Sequence, residues 1–250
     1  MSLLPTTSTF DYDGSARSGI SRVLHNLARF PSQMPDFELA TWQLFNLCVA
    51  PRKVYRQVYY HKQTKNTWAR DDPAVLMILT STLCLAGILW GFDYSLGPLG
   101  TLRTVLVMVL RDCLLLGIVS ATALWFISNS LLQAPASIHT TDQRVEWAYA
   151  LDVHTNGFFP AMLELYFVQL LFKPVLVRHN WICLLLGNGL YLVAFGQYWY
   201  VTYLGYNALP FLQRTELLLF PVLVLVAFFM VSLLGFNCPR HFLSLYFGSI

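Results

Sequence analysis

The chain has 250 residues, of which 56% are hydrophobic and only 12% charged, whereas a soluble domain carries roughly 25% charged residues. Half of the surface charge that a water-soluble fold needs is absent, which excludes a large soluble domain and leaves a membrane-embedded one. Nine of the 16 Lys and Arg precede Pro73, so the cationic charge is concentrated in an amino-terminal head.

Residues 1–35 are rich in Ser, Thr, Pro, Asp and Arg and read as a disordered cytosolic tail, with few apolar groups to offset the cost of ordering. They lack the apolar core of a signal peptide, so the first membrane helix is expected to do the targeting. Residues 36–72 read as basic amphipathic helices. Over 36–50, Phe37, Ala40, Leu44, Phe45, Leu47 and Cys48 fall on one side of a helical wheel and Glu38, Gln43 and Asn46 away from it, with Asp36 as N-cap. Pro51 starts a second helix in which Val54, Tyr55, Val58 and Tyr59 form a stripe flanked by Arg52, Lys53 and Arg56, and Lys62 and Lys65 extend the charge. Such a helix suits either the headgroup layer of an anionic leaflet or the end of the membrane domain itself.

Residues 73–250 read as an all-α membrane domain with about five spans, near 73–92, 104–127, 157–177, 181–204 and 217–236. Asp72 and Pro73 mark the start of the first, and its twenty residues reach ~30 Å, the thickness of the hydrocarbon core. The third is short and carries Pro160 and Glu164, so it spans only if the flanking 150–156 or 174–177 adds a turn. Tyr198, Trp199, Tyr200 and Tyr203 form an aromatic belt at the end of the fourth. Arg144 and Arg214 lie on the same side as the basic head, while Arg103, Lys173, Arg178 and Arg240 lie on the other. That excess places the amino terminus in the cytosol.

Three ionisable groups interrupt the apolar runs: Arg111, Asp112 and Glu164. Each costs at least ~2.5 kcal/mol at the bilayer centre, so each needs a partner. Arg111 and Asp112 are adjacent and point about 100° apart, whereas Arg111 and Glu164 fall at similar depth, which predicts an Arg111–Glu164 contact between spans. Such a pair either fixes helix docking or belongs to an ion or proton relay in a small transporter. A second cluster, Glu146, Asp152, His154 and Asn156, precedes the third span; it reads as loop and cap hydrogen bonds or as a recognition site on the cytosolic face. The five cysteines, Cys48, Cys84, Cys113, Cys183 and Cys238, form no CxxC pair and read as small core residues. No metal-ligand, Walker or dinucleotide pattern occurs, so neither catalysis nor a cofactor is expected. Tyrosines among the cations of 52–70 are compatible with stacking on RNA, but no RNA-binding module accompanies them.

The blocks KQTK-x-x-WARDDPA (62–74), VEWAYALDVHTNGFFP (145–160) and YVTYLGY-x-ALPFL (200–212) resemble the uncoordinated-fifty (UNCL) family, over roughly residues 36–250. The resemblance implies a Golgi multi-pass protein with a cytosolic amino terminus, linked to surface delivery of nicotinic-type receptors. It also implies association with guanine-nucleotide exchange factors for Arf GTPases; an inner-nuclear-membrane, RNA-binding assignment exists for the family as well. Lys62, Gln63, Lys65, Trp68, Arg70, Asp71, Asp72, Asp152, His154, Asn156 and Tyr206 match the family blocks without assigned roles. Arg52, Lys53, Arg56, Lys62 and Lys65 are expected to hold the head on the anionic leaflet, with Trp68 and the Arg70–Asp72 turn presented to a partner.

Overall fold

A computed structural model describes residues 35–65, 67–70, 72–134 and 143–248. Nearly all of the expected 1–35 tail, Asp71, and the side chains of Tyr59 and Lys65 lie outside the described residues. The described chain is helical: α1 Phe37–Val49, α2 Pro51–Lys65, α3 Ala74–Asp93, α4 Gly97–Leu131, α5 Trp147–Leu176, α6 Trp181–Asn207, α7 Thr215–Ser232 and α8 Cys238–Phe247. Helices α3 to α7 are each long and apolar enough to cross a bilayer.

Local chemistry sets the boundaries of the head. The Asp36 side chain accepts from Leu39 N–H at 3.0 Å, capping α1. Pro51 ends α1 by excluding the helical conformation from Ala50, and then opens α2. One carboxylate ties the two helix starts together, because Asp72 Oδ1 accepts from Ala74 N–H at 2.9 Å and Oδ2 from Asp36 N–H at 3.1 Å. Helix α1 packs on α3 and α5, and α2 on α6.

The buried face of α1 is only partly the one expected from periodicity. Ala40, Leu44 and Leu47 are buried, whereas Phe37 and Phe45 point outward with Leu39, Trp42 and Val49. Asn46 is buried, its Nδ2 donating back to Trp42 O at 2.8 Å. The helix is apolar on two sides, so the wheel alone could not choose between them. On α2 the expected stripe holds: Val54 and Tyr55 are buried and Arg52, Lys53 and Arg56 exposed. The head is therefore seated on the end of the membrane domain while keeping a cationic outer face.

Helices α4, α5 and α6 are longer than the apolar runs that announced them. Helix α4 begins at Gly97, well before the expected 104, because Ser95 and Gly97 take positive φ in a tight turn after α3. Gly87 and Gly91 then let α4 approach closely: a Cβ on Gly91 would lie 2.3 Å from Thr101 Oγ1, and one on Gly87 2.7 Å from Val105 Cγ2. Helix α5 begins at Trp147, ten residues before the expected 157, so Asp152, His154 and Asn156 are helical and not loop residues. Polar side chains there hid the helix from a hydropathy reading. Helix α7 stops at Ser232, short of the expected 236, and Asn237 caps the additional helix α8, its Oδ1 accepting from Arg240 N–H at 2.9 Å. Phe247 of α8 stacks on Tyr94 and Trp90, with ring centroids 4.3 Å and 5.2 Å apart, closing the far end of the bundle.

Gly91→Val should destabilise the α3–α4 hairpin by about 1–3 kcal/mol, seen as a lower melting temperature in detergent. Gly196→Ala, where nothing lies within 4 Å of the added methyl, should not. Equal effects would refute close helix approach at Gly91.

Candidate functional site

At the head end, the segment after α2 folds inward. Trp68 is only 6% exposed, set edge-on to Tyr149 at 6.3 Å and tilted against Phe211 at 6.1 Å, with Lys62 Nζ 5.4 Å above its ring. Arg70 follows it into a polar seam on α5. Its backbone N–H donates to Asp152 Oδ2 at 2.6 Å and its Nη2 to Asn156 Oδ1, while Nη1 reaches Gln43 Oε1 of α1 at 3.4 Å. Asn156 Nδ2 in turn donates to Tyr55 OH of α2 at 3.4 Å, and burial holds that phenol well above its usual pKa. One seam thus joins α1, α2, the 67–72 segment and α5. Trp68 and Arg70, expected to face a partner, instead serve the protein's own packing: the indole buries its area against Tyr149 and Phe211, and the desolvation of the guanidinium is offset by Asp152, Asn156 and Gln43.

Helix α5 makes further polar contacts with α4 and α6. His154 is buried, its Nδ1 within 2.9 Å of Ser120 Oγ and 3.0 Å of Tyr198 OH, while Nε2 has no partner. Tyr149 OH donates to Gly205 O at 2.6 Å. Glu146 stands at the α5 N-terminus without a capping bond from its side chain, and Tyr206 is fully buried with its hydroxyl unpartnered. Gln63 is exposed and Asp72 half-buried. Of the expected cluster, Asp152 and Asn156 share the seam, whereas His154 faces Ser120 of α4 and Tyr198 of α6 and Glu146 stands at the helix start.

Deeper in the bundle, the expected Arg111–Glu164 pair does not form. Arg111 Nε donates to Asp112 Oδ1 at 2.6 Å, and its guanidinium lies 4.7 Å above the Tyr246 ring. Asp112 Oδ2 also accepts from Tyr166 OH and Tyr246 OH, each at 2.8 Å. Reach explains the difference: an arginine side chain can fold back onto its neighbour, which the 100° between adjacent Cβ directions concealed. Glu164 Oε2 is buried without a hydrogen bond, as is Gln169 Nε2. Arg111 and Asp112 lie on a π-helical stretch, Val107–Leu115, and Glu164 on another, Leu163–Val168. All three charges that interrupt the apolar spans therefore fall on widened turns. Tyr166 and Tyr246, the partners that matter here, were invisible among thirteen tyrosines, because nothing in sequence separates a belt tyrosine from a buried donor.

Among the described residues no group of three or more His, Cys, Asp and Glu could hold a metal ion. Cys48, at the end of α1, is a partly buried thiol whose pKa is pushed up to about 11, by burial first and the Glu164 carboxylate second. Its carbonyl accepts from Gln197 Nε2 of α6 at 3.1 Å, holding α1 against the bundle.

Five apolar spans, a seated helical head and polar groups turned inward define a multi-pass helical membrane protein. The model of the UNC-50 family matches residues 23–247, and the chain belongs to that family. It is 45% identical over 227 residues to the Homo sapiens protein unc-50 homolog, covering 90% of this chain and 86% of the relative. The Dictyostelium discoideum unc-50 homolog is 38% identical over 250 residues, covering 97% and 95% of the two chains. The Schizosaccharomyces pombe protein GMH1 homolog is 40% identical over 219 residues, with 87% and 93% covered. No solved structure matches the chain.

Two outcomes test this geometry. Tyr166→Phe and Tyr246→Phe should each cost about 1.5–3 kcal/mol of stability in detergent, as expected for a hydrogen bond to a carboxylate; unchanged melting would mean that Asp112 is held otherwise. In a variant retaining Cys48 as its single cysteine, alkylation should be slow at pH 8, where the thiol is protonated. The rate should climb about tenfold per pH unit through pH 10, whereas levelling off above pH 9 would contradict the raised value.

Proposed function

We propose that the protein works in Golgi membranes with its head in the cytosol, supporting surface delivery of nicotinic-type receptors and other cargo as an adaptor for an Arf guanine-nucleotide exchange factor. The observation that supports this reading best is the two-sided build of the head. Val54 and Tyr55 anchor α2 on the bundle, while Arg52, Lys53 and Arg56 remain exposed. Arg52 Nε donates to Tyr200 OH at 3.0 Å, which sets this cationic face beside the aromatic belt of α6. Phe37, Trp42 and Phe45 on α1 add exposed apolar rings to the head. Cations near an anionic leaflet contribute about 1 kcal/mol each, and apolar rings add insertion.

A surface held in one orientation at the bilayer can concentrate a partner next to its membrane-bound substrate, raising exchange without contributing chemistry. The inward placement of Trp68 and Arg70 moves the docking face to α1 and α2. Their role is to fix that face, and the nucleotide-exchange step belongs to the partner.

The test uses the full chain in nanodiscs containing anionic lipid, with a purified large Arf exchange factor as probe. Arg52→Glu/Lys53→Glu/Arg56→Glu should lower exchange-factor binding at least tenfold and leave the melting temperature within a few degrees. In cells lacking the endogenous protein, the same variant should fail to restore receptor surface fraction at matched Golgi abundance. Undiminished binding and full rescue together would refute the adaptor reading.

A further inference from the structure

The far end of the bundle carries an unbalanced positive charge. Among the described residues there, Arg103, Lys173, Arg178 and Arg240 are cationic and Asp93 is the one acid, already paired with Lys173. Arg178 and Arg240 line one cavity of about 660 Å³, together with His179 and His241. Among the described residues no carboxylate lines it. Arg178 Nε donates to Pro174 O at 3.1 Å, which holds the stem of that side chain over the end of α5. Arg240 stands in the first turn of α8, and its Nη1 meets the His179 ring at Nδ1 and Nε2. A guanidinium can only donate, so His179 accepts there, and neither arginine has an acidic partner among the described residues.

The backbone adds to the same field. Helices α6 and α8 both start at this cavity, capped by Asn180 and Asn237. Their positive ends face a space already bordered by two arginines. Part of the lining is apolar: Leu233 and Leu234 follow the last turn of the α7 span, and Leu234 is 89% exposed. Cations that merely reached for water at the membrane edge would spread apart and take separate solvation. Here four basic side chains, two from the α5–α6 connection and two from the first turn of α8, converge on one concavity beside a lipid-facing lip.

We propose that this cavity binds a phosphate group between Arg178 and Arg240, and that the lip of Leu233 and Leu234 lets the phosphate arrive as the headgroup of a phospholipid. The arginine forks match phosphate oxygens in geometry and charge, and the imidazoles supply further donors. Bound phosphate would bridge the α5–α6 connection to α8, neutralising the repulsion between their cations. This site is separate from the head surface, and its test does not depend on the adaptor reading.

Purified full-length protein in an uncharged detergent would be titrated with dioctanoyl phosphatidic acid, with dioctanoylglycerol, which lacks the phosphate, and with inorganic phosphate. Native mass spectrometry would count bound lipid and thermophoresis would measure affinity. Phosphatidic acid should bind one site at least tenfold more tightly than dioctanoylglycerol. Arg178→Gln/Arg240→Gln should weaken it at least tenfold, and Arg103→Gln, which removes a cation from the same end but outside the cavity, should not. If the double variant does not fold, Arg178→Gln replaces it, since that side chain is exposed and makes only a local contact. Inorganic phosphate that competes and binds as tightly would support the site with free phosphate as its source; weaker phosphate binding supports the lipid. Wild-type preference absent against dioctanoylglycerol, or binding undiminished in the folded arginine variants, overturns the proposal.

Discussion

The guanidinium of Arg70 lies where three parts of the chain meet, and the seating of the head depends on it. Its nitrogens reach Gln43 on α1 and Asn156 on α5, and its backbone N–H is held by Asp152. Asp152 Oδ1 stands 3.9 Å from Nε, so the carboxylate holds both the charge and the main chain of one residue. A partly buried charge keeps its place only while its partners persist. Because these partners come from separate helices, the contact converts a basic segment of low intrinsic stability into a fixed part of the membrane domain.

The spans solve a related problem differently. Asp112 would be costly in hydrocarbon, and three donors surround it: its neighbour Arg111, Tyr166 from α5 and Tyr246 from α8. The last of these brings the carboxy-terminal helix back onto the bundle, so a charge within α4 organises the far end. Asn188 does the same a little further on, donating to Ser232 Oγ and Phe236 O and accepting from Cys238 N–H. Polar residues inside this bundle mark where helices must meet, as is general where lipid offers no alternative partner.

Much of this was legible in the sequence because hydrocarbon thickness imposes length and composition. The five spans, the Asp36 cap, the outward Arg52, Lys53 and Arg56 and the stripe through Val54 and Tyr55 all follow from local rules. What was hidden had to be decided by neighbours. The first three turns of α5 carry Asp152, His154 and Asn156, so they look like a loop until Arg70, Ser120 and Tyr198 arrive as partners. Phe45 and Leu47 are equally apolar, and only the position of α3 and α5 buries one and exposes the other. Arg111 found its partner one residue away because side-chain reach, not Cβ direction, governs a flexible cation.

The head is a docked element of the membrane domain and not a tethered one. Hydrogen–deuterium exchange on the full chain in nanodiscs, comparing wild type with Arg70→Ala, tests this most directly. Loss of protection across α1 and α2, with the amides of α3 to α7 unchanged, is the predicted result. Exchange in α1 and α2 that is the same in both proteins would show that Arg70 does not hold the head and would contradict the account.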